Sequence, residues 1–197
     1  MSQAIFRSVG QAVHFSFLLE ALEASSESLM ARMMREHLIS IGAWKSDEST
    51  INFGGLTSLE IRAQAAMIRS ACRNRLTGPE FWVVLSRYGM IKVRNTEGHK
   101  AYWIPQEKAD ALGSLADWLS AQHAALPPDV LRLLVLRATA SVEGLRPTFR
   151  DIAEKSGCNK DTLCRHAKKI SHRVRELETF AFERLEPTFL RDGVVEA

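Results

Sequence analysis

Cysteine is scarce in this chain: three in 197 residues, at Cys72, Cys158 and Cys164. That number and scatter give no disulfide framework and suit a reducing compartment. Long apolar runs are missing too. None approaches the roughly 20 residues that a membrane span needs, so no membrane association is expected. The uncharged stretch from Ser8 to Leu19 contains Gln11, His14 and Ser16 and lacks a small-x-small cleavage site. It does not read as a signal peptide, and a cytoplasmic location is expected. There is no glycine-rich phosphate loop, no HExxH and no nucleophile elbow, so neither an enzyme nor a cofactor is expected. Disorder is excluded by 46% hydrophobic residues with only 25% charged ones.

Cys158, Cys164, His166 and His172 follow the pattern C-x5-C-x-H-x5-H, which matches no common zinc finger and spreads the ligands over different helix faces. Cys158 reads instead as a small apolar residue, and His166 and His172 as surface or ligand-facing groups. The four Trp, scattered through helical patterns, read as core more than as a base-stacking platform.

Charge is the first informative presence. The net charge is only +3, but it is segregated. Arg146 to Arg175 holds nine Lys or Arg against three Asp or Glu, a local +6, whereas Glu176 to the end holds two against six, or −4. Arg62 to Lys100 is basic as well, with eight cations against Glu80 and Glu97. Such clustering suits a polyanionic partner, nucleic acid first, with a solvated helix face as the alternative.

The pattern is mainly α-helical. Gln11 to Ala24 has apolar residues at helical spacing, and Ser28 to Ile41 carries a stripe of Leu29, Met30, Met33, Met34, Leu38 and Ile41 suited to packing. Trp44 to Gly55 reads as a loop. Capping boxes at Thr57/Glu60 and Thr77/Glu80 predict helices over 58–75 and 79–87, the second stopped by Gly89. The β-prone runs Met90–Arg94 and Ala101–Ile104 around Asn95–Gly98 predict a small hairpin. Pro105 opens a helix to about Gln122 with Leu112, Leu115 and Leu119 on one face. Pro127-Pro128 is the sharpest break, giving an expected N-terminal helical domain over 1–125 and a C-terminal domain over 126–197.

The segment from Thr148 to Ile170 carries the most specific pattern. Thr148 and Asp151 form a third capping box, predicting a helix over about 149–156. Gly157 suits a left-handed terminus and Asn159 can cap the next helix. Ile152 and Ala153 face inward, with Cys158 and Leu163 as their apolar partners. This resembles a helix-turn-helix, in the version seen in TetR-type repressors and homeodomain-like recombinases. Only 27 residues follow Ile170, unlike the ligand domain of the repressors, and the Tyr-x-Arg-x-Ser setting of serine recombinases is missing. Sigma factor region 4 is a closer likeness, with Leu131–Arg137 as preceding helix and Gly144-Leu145 as turn. A weaker likeness, to phage late-gene antiterminators of the Q type, rests on Leu38-Ile-Ser-Ile-Gly-Ala-Trp44 and Phe81-Trp-Val-Val-Leu-Ser-Arg-Tyr-Gly89; Ile41 replaces the first Trp of that family's motif.

The resemblance implies a sequence-specific transcription regulator whose partner is double-stranded DNA. It makes the helix from Lys160 the recognition helix. Lys160, Asp161, Thr162, Arg165 and Lys168 become the base-reading set, with Arg165 first for a bidentate guanine contact. Thr148, Arg150, Lys169 and Arg173 become phosphate contacts. The antiterminator likeness adds RNA polymerase as a partner. Val174, Leu177, Phe180, Ala181 and Leu185 extend an apolar stripe that Pro187 is expected to end; it suits a homodimer seam or packing against 128–138. A protein–protein adaptor with a purely structural helix pair, or a replication or partition protein of a mobile element, remains open.

Overall fold

The computed structural model describes residues 4–20, 56–96 and 99–196. The expected helix over 28–41, the loop after it and the Leu38–Trp44 motif lie outside them. The fold is mainly α-helical, with one two-stranded sheet among the described residues. None of their helices is long and apolar enough to cross a membrane.

The chain divides into two compact units, Met1–Leu76 with Phe182–Ala197, and Thr77–Ala181. The expected boundary at 125/126 is not where they part. Pro127-Pro128 is no linker: Pro128 is the first residue of a helix whose first turn tolerates the missing N–H.

In the first unit, α1 (Val9–Glu20) buries Val9, Ala12, Val13, Phe15, Phe17 and Leu19, so it is apolar on nearly every side. Ser16 is buried there as well, its hydroxyl donating to the Val13 carbonyl at 2.8 Å. The capping box of Thr57 and Glu60 opens α2 (Ser58–Arg75), which buries Ile61, Ala65, Ile68 and Cys72 at spacings of three and four. Arg69 donates to the Ser16 carbonyl at 2.5 Å. The C-terminal tail pairs back on Phe6, whose N–H donates to Val194 and whose carbonyl accepts from Glu196.

The second unit starts with α3 (Gly78–Tyr88) behind its own capping box. The hairpin follows, β1 (Lys92–Thr96) antiparallel to β2 (His99–Trp103). Its ladder reaches further than expected: Asn95 pairs with Lys100 and Thr96 with His99, leaving two residues as connection. Next come α4 (Gln106–Ser120), a 3-10 turn over Ala121–His123, α5 (Pro128–Thr139), a 3-10 turn over Glu143–Leu145, α6 (Phe149–Ser156) and α7 (Lys160–Arg191). One core joins them. Val83 of α3, Leu115 and Leu119 of α4, Leu131 and Leu134 of α5, Ile152 of α6, and Leu163, Ile170 and Val174 of α7 are buried in it together. Because α4 and α5 share that core, no boundary separates them.

The long helix α7 departs from expectation at Pro187, which lies inside it. Leu185 and Phe189, buried on either side of Pro187, oppose the break that a missing N–H favours. The helix ends later, at Arg191, and is closed by Gly193 (φ 67°). There the Gly193 N–H bonds to the Leu190 carbonyl and the Val194 N–H to that of Phe189, a Schellman pattern.

Candidate nucleic-acid interface

The Thr148 hydroxyl accepts from the Asp151 N–H at 3.1 Å, and an Asp151 carboxylate oxygen accepts from the Thr148 N–H at 3.2 Å. Hydrogen bonding to Thr148, from its side chain first and its backbone N–H second, holds the Asp151 carboxyl below its ordinary pKa. The box starts α6 at Phe149, and Gly157 closes it in the left-handed conformation (φ 68°, ψ 4°), its N–H bonded to the Ala153 carbonyl at 2.8 Å. Two residues later Asn159 caps α7, its side-chain oxygen accepting from the Asp161 N–H at 2.8 Å. Ser156 ties the turn together, donating to the Ile152 carbonyl while accepting from the Cys158 N–H. The expected helix limits and both terminus residues are thus present. Ile152 and Leu163 are fully buried, and Ala153 and Cys158 pack against the same core.

Leu163, Ala167, Ile170, Val174 and Leu177 point α7 into that core. Its opposite face holds Asp161, Arg165, Lys168 and Lys169, all exposed, with Lys160 exposed at its first residue. Among the described residues, none of these four cations has an ion pair or side-chain hydrogen bond. Thr162 is half-buried at the edge of the face. On α6, Thr148 is exposed, its hydroxyl engaged in the cap, and Arg150 is exposed but paired with Glu154 at 2.8 Å.

Two residues are placed differently from the rest. Arg173 is half-buried, its guanidinium 5.2 Å from the centre of the Trp118 ring and 3.2 Å from Glu176. It sits on the flank of the helix that packs toward α4, so it does not join the exposed cations. His166, expected at the surface or against a ligand, instead meets His123, with Nδ1 atoms 2.8 Å apart. The stripe beyond Ile170 is spent internally as well: Val174, Leu177, Ala181 and Leu185 are buried, and Phe180 alone of the stripe is exposed.

Three further cations lie outside the base-reading and phosphate sets. Arg137 at the end of α5, Arg146 before α6 and Arg175 on α7 line one concavity with Lys168. Arg137 was visible only as part of the helix preceding the motif. Nothing local in the sequence indicates that Arg146 and Arg175, 29 residues apart, share a wall.

Compared with protein-family models and with curated proteins, the chain matches none.

Proposed function

We propose that this protein is a sequence-specific DNA-binding regulator in which α6, the turn at Gly157 and α7 form the reading unit. The observation that carries the reading is the outward face of α7. Arg165, Lys168 and Lys169 stand there exposed and unpaired among the described residues, opposite a continuous buried stripe, with Lys160 likewise exposed and unpaired at the helix's first residue. A helix about 10–12 Å across with a cationic outer face fits the roughly 12 Å major groove of B-DNA. Arg165, central on that face, has the planar fork that pairs with the two acceptors of guanine. Lys160 and Lys168 flank it, Asp161 suits a cytosine amino group, and Thr162 a thymine methyl. Thr148, Arg150 and Lys169 border the face and suit backbone phosphates, which set the register. Arg173 is left out of this set, since it is half-buried against Trp118. A role at RNA polymerase and a homodimer are not needed by this reading.

Binding of the full chain to duplex DNA, followed by fluorescence anisotropy over a range of salt, tests it. Counterion release gives a log–log salt slope of about −0.9 per phosphate neutralised, and Lys169→Ala is expected to shrink that slope by about 1. Duplex binding absent at physiological salt would favour the adaptor reading, in which the helix pair only packs.

A further inference from the structure

Between the end of α5, the segment before α6 and one side of α7 lies a concavity of about 360 Å³. Four of its lining residues are basic, Arg137, Arg146, Lys168 and Arg175, with His172 beside them, and none of the described lining residues is an acid. Arg137 is held in place from two sides. Its guanidinium lies 4.1 Å from the centre of the Phe149 ring, and one of its nitrogens donates to the Pro147 carbonyl at 2.6 Å. That leaves most of the fork's N–H groups unspent. Burial lowers the Arg137 pKa, and the charge of nearby Arg146 adds to it. Ser171 adds a hydroxyl to the wall.

From this geometry we infer that the concavity is a phosphate-binding site, a cradle in which Arg137, Arg146 and Arg175 converge on one phosphate group. A fixed guanidinium stacked on an aromatic ring presents parallel N–H donors suited to two phosphate oxygens, and two exposed cations complete the charge balance. The site goes beyond the reading face, with which it shares only Lys168. The phosphate belongs either to a DNA backbone beside the reading helix or to a free phosphorylated molecule. Both sources present the same oxyanion.

The test is titration of the full chain with inorganic phosphate at constant ionic strength, read by NMR of the arginine side-chain N–H groups. Phosphate is expected to shift the Arg137 signal where chloride does not. The double variant Arg146→Ala/Arg175→Ala, which changes two exposed residues, is expected to weaken phosphate binding at least about tenfold, given the strength of charge-assisted hydrogen bonds. The Arg137–Phe149 stack then reports whether the variant keeps its fold, since the Arg137 signal stays at its unliganded position. If duplex DNA displaces phosphate, the backbone is the source; if DNA binds while phosphate stays, the source is a free phosphorylated molecule. No Arg137 response to phosphate, or a response undiminished in the double variant, overturns the site even if DNA still binds. A phosphate response in a chain that ignores DNA keeps the site and removes the DNA reading.

Discussion

The Nδ1 atoms of His123 and His166 lie 2.8 Å apart, with ring centres 5.1 Å apart, so one imidazole donates where the other accepts. His123 is buried in the turn after α4, and His166 is half-buried on α7 two residues before the first lysine of the exposed Lys168-Lys169 pair. The contact therefore ties the basic helix to the rest of its unit through groups that titrate near neutrality.

Acid is expected to loosen that tie. Burial lowers both imidazole pKa values, with the charges of His166 and Lys169 adding to it at His123 and those of Lys169 and Arg165 at His166. With folded values below 6.5, the unfolded chain takes up protons first, so the contribution is intact above pH 6.5 and declines as pH falls through the lowered folded values. Thermal melts from about pH 7.5 down to about pH 5 are expected to show a fall in Tm that His166→Gln flattens. An equal fall in the variant would place the acid sensitivity elsewhere.

Gly157 is needed for its backbone rather than for room. An added Cβ would meet nothing within 4 Å, yet φ is 68°. Gly157→Ala is expected to cost about 1–2 kcal/mol in urea denaturation, the strain of a left-handed L-residue. Thr148→Ala is expected to cost about 1 kcal/mol by removing the cap. Unchanged stability in Gly157→Ala would mean that the turn between α6 and α7 does not hold this conformation.

Lys108 is a charge placed in the second unit's core. It is 3% exposed, its ammonium donates to the Gly89 carbonyl at 2.8 Å, and burial pushes its pKa down to about 8. The unfolded side chain titrates at 10.5, so stability is held down below pH 8 and rises as pH climbs from 8 to 10.5. Lys108→Met removes the buried charge and is expected to stabilise the protein at neutral pH by about 1–3 kcal/mol, with the gain shrinking toward pH 10. Paired denaturation curves at the two pH values check this. A destabilised variant would show that the bond to Gly89 outweighs the burial of the ammonium.

The parts of the fold legible in the sequence are those with local causes. Each capping box at Thr57, Thr77 and Thr148 needs only four residues, and α6 begins and ends where Thr148 and Gly157 indicate. The limits came from distant partners. Pro187 has a local rule against helix continuation, but the burial of Leu185 and Phe189 overrides it. The return of residues 182–197 to the unit of α1 and α2 has no local signature, so the boundary could not be read from Pro127-Pro128. The candidate site divides in the same way. Helical spacing places Arg165, Lys168 and Lys169 on the outer face, where they are exposed. It cannot reveal that Trp118 and Glu176 hold Arg173, or that Arg137, Arg146 and Arg175 meet around one hollow.

The central claim, that α7 reads DNA sequence, is tested most directly by selecting bound fragments from random duplex DNA and repeating the selection with Arg165→Ala. The expected result is an enriched motif in the wild type and, in the variant, relaxed preference at one base pair, worth about 1–3 kcal/mol of discrimination. A motif unchanged by Arg165→Ala, or no motif at all, would contradict it.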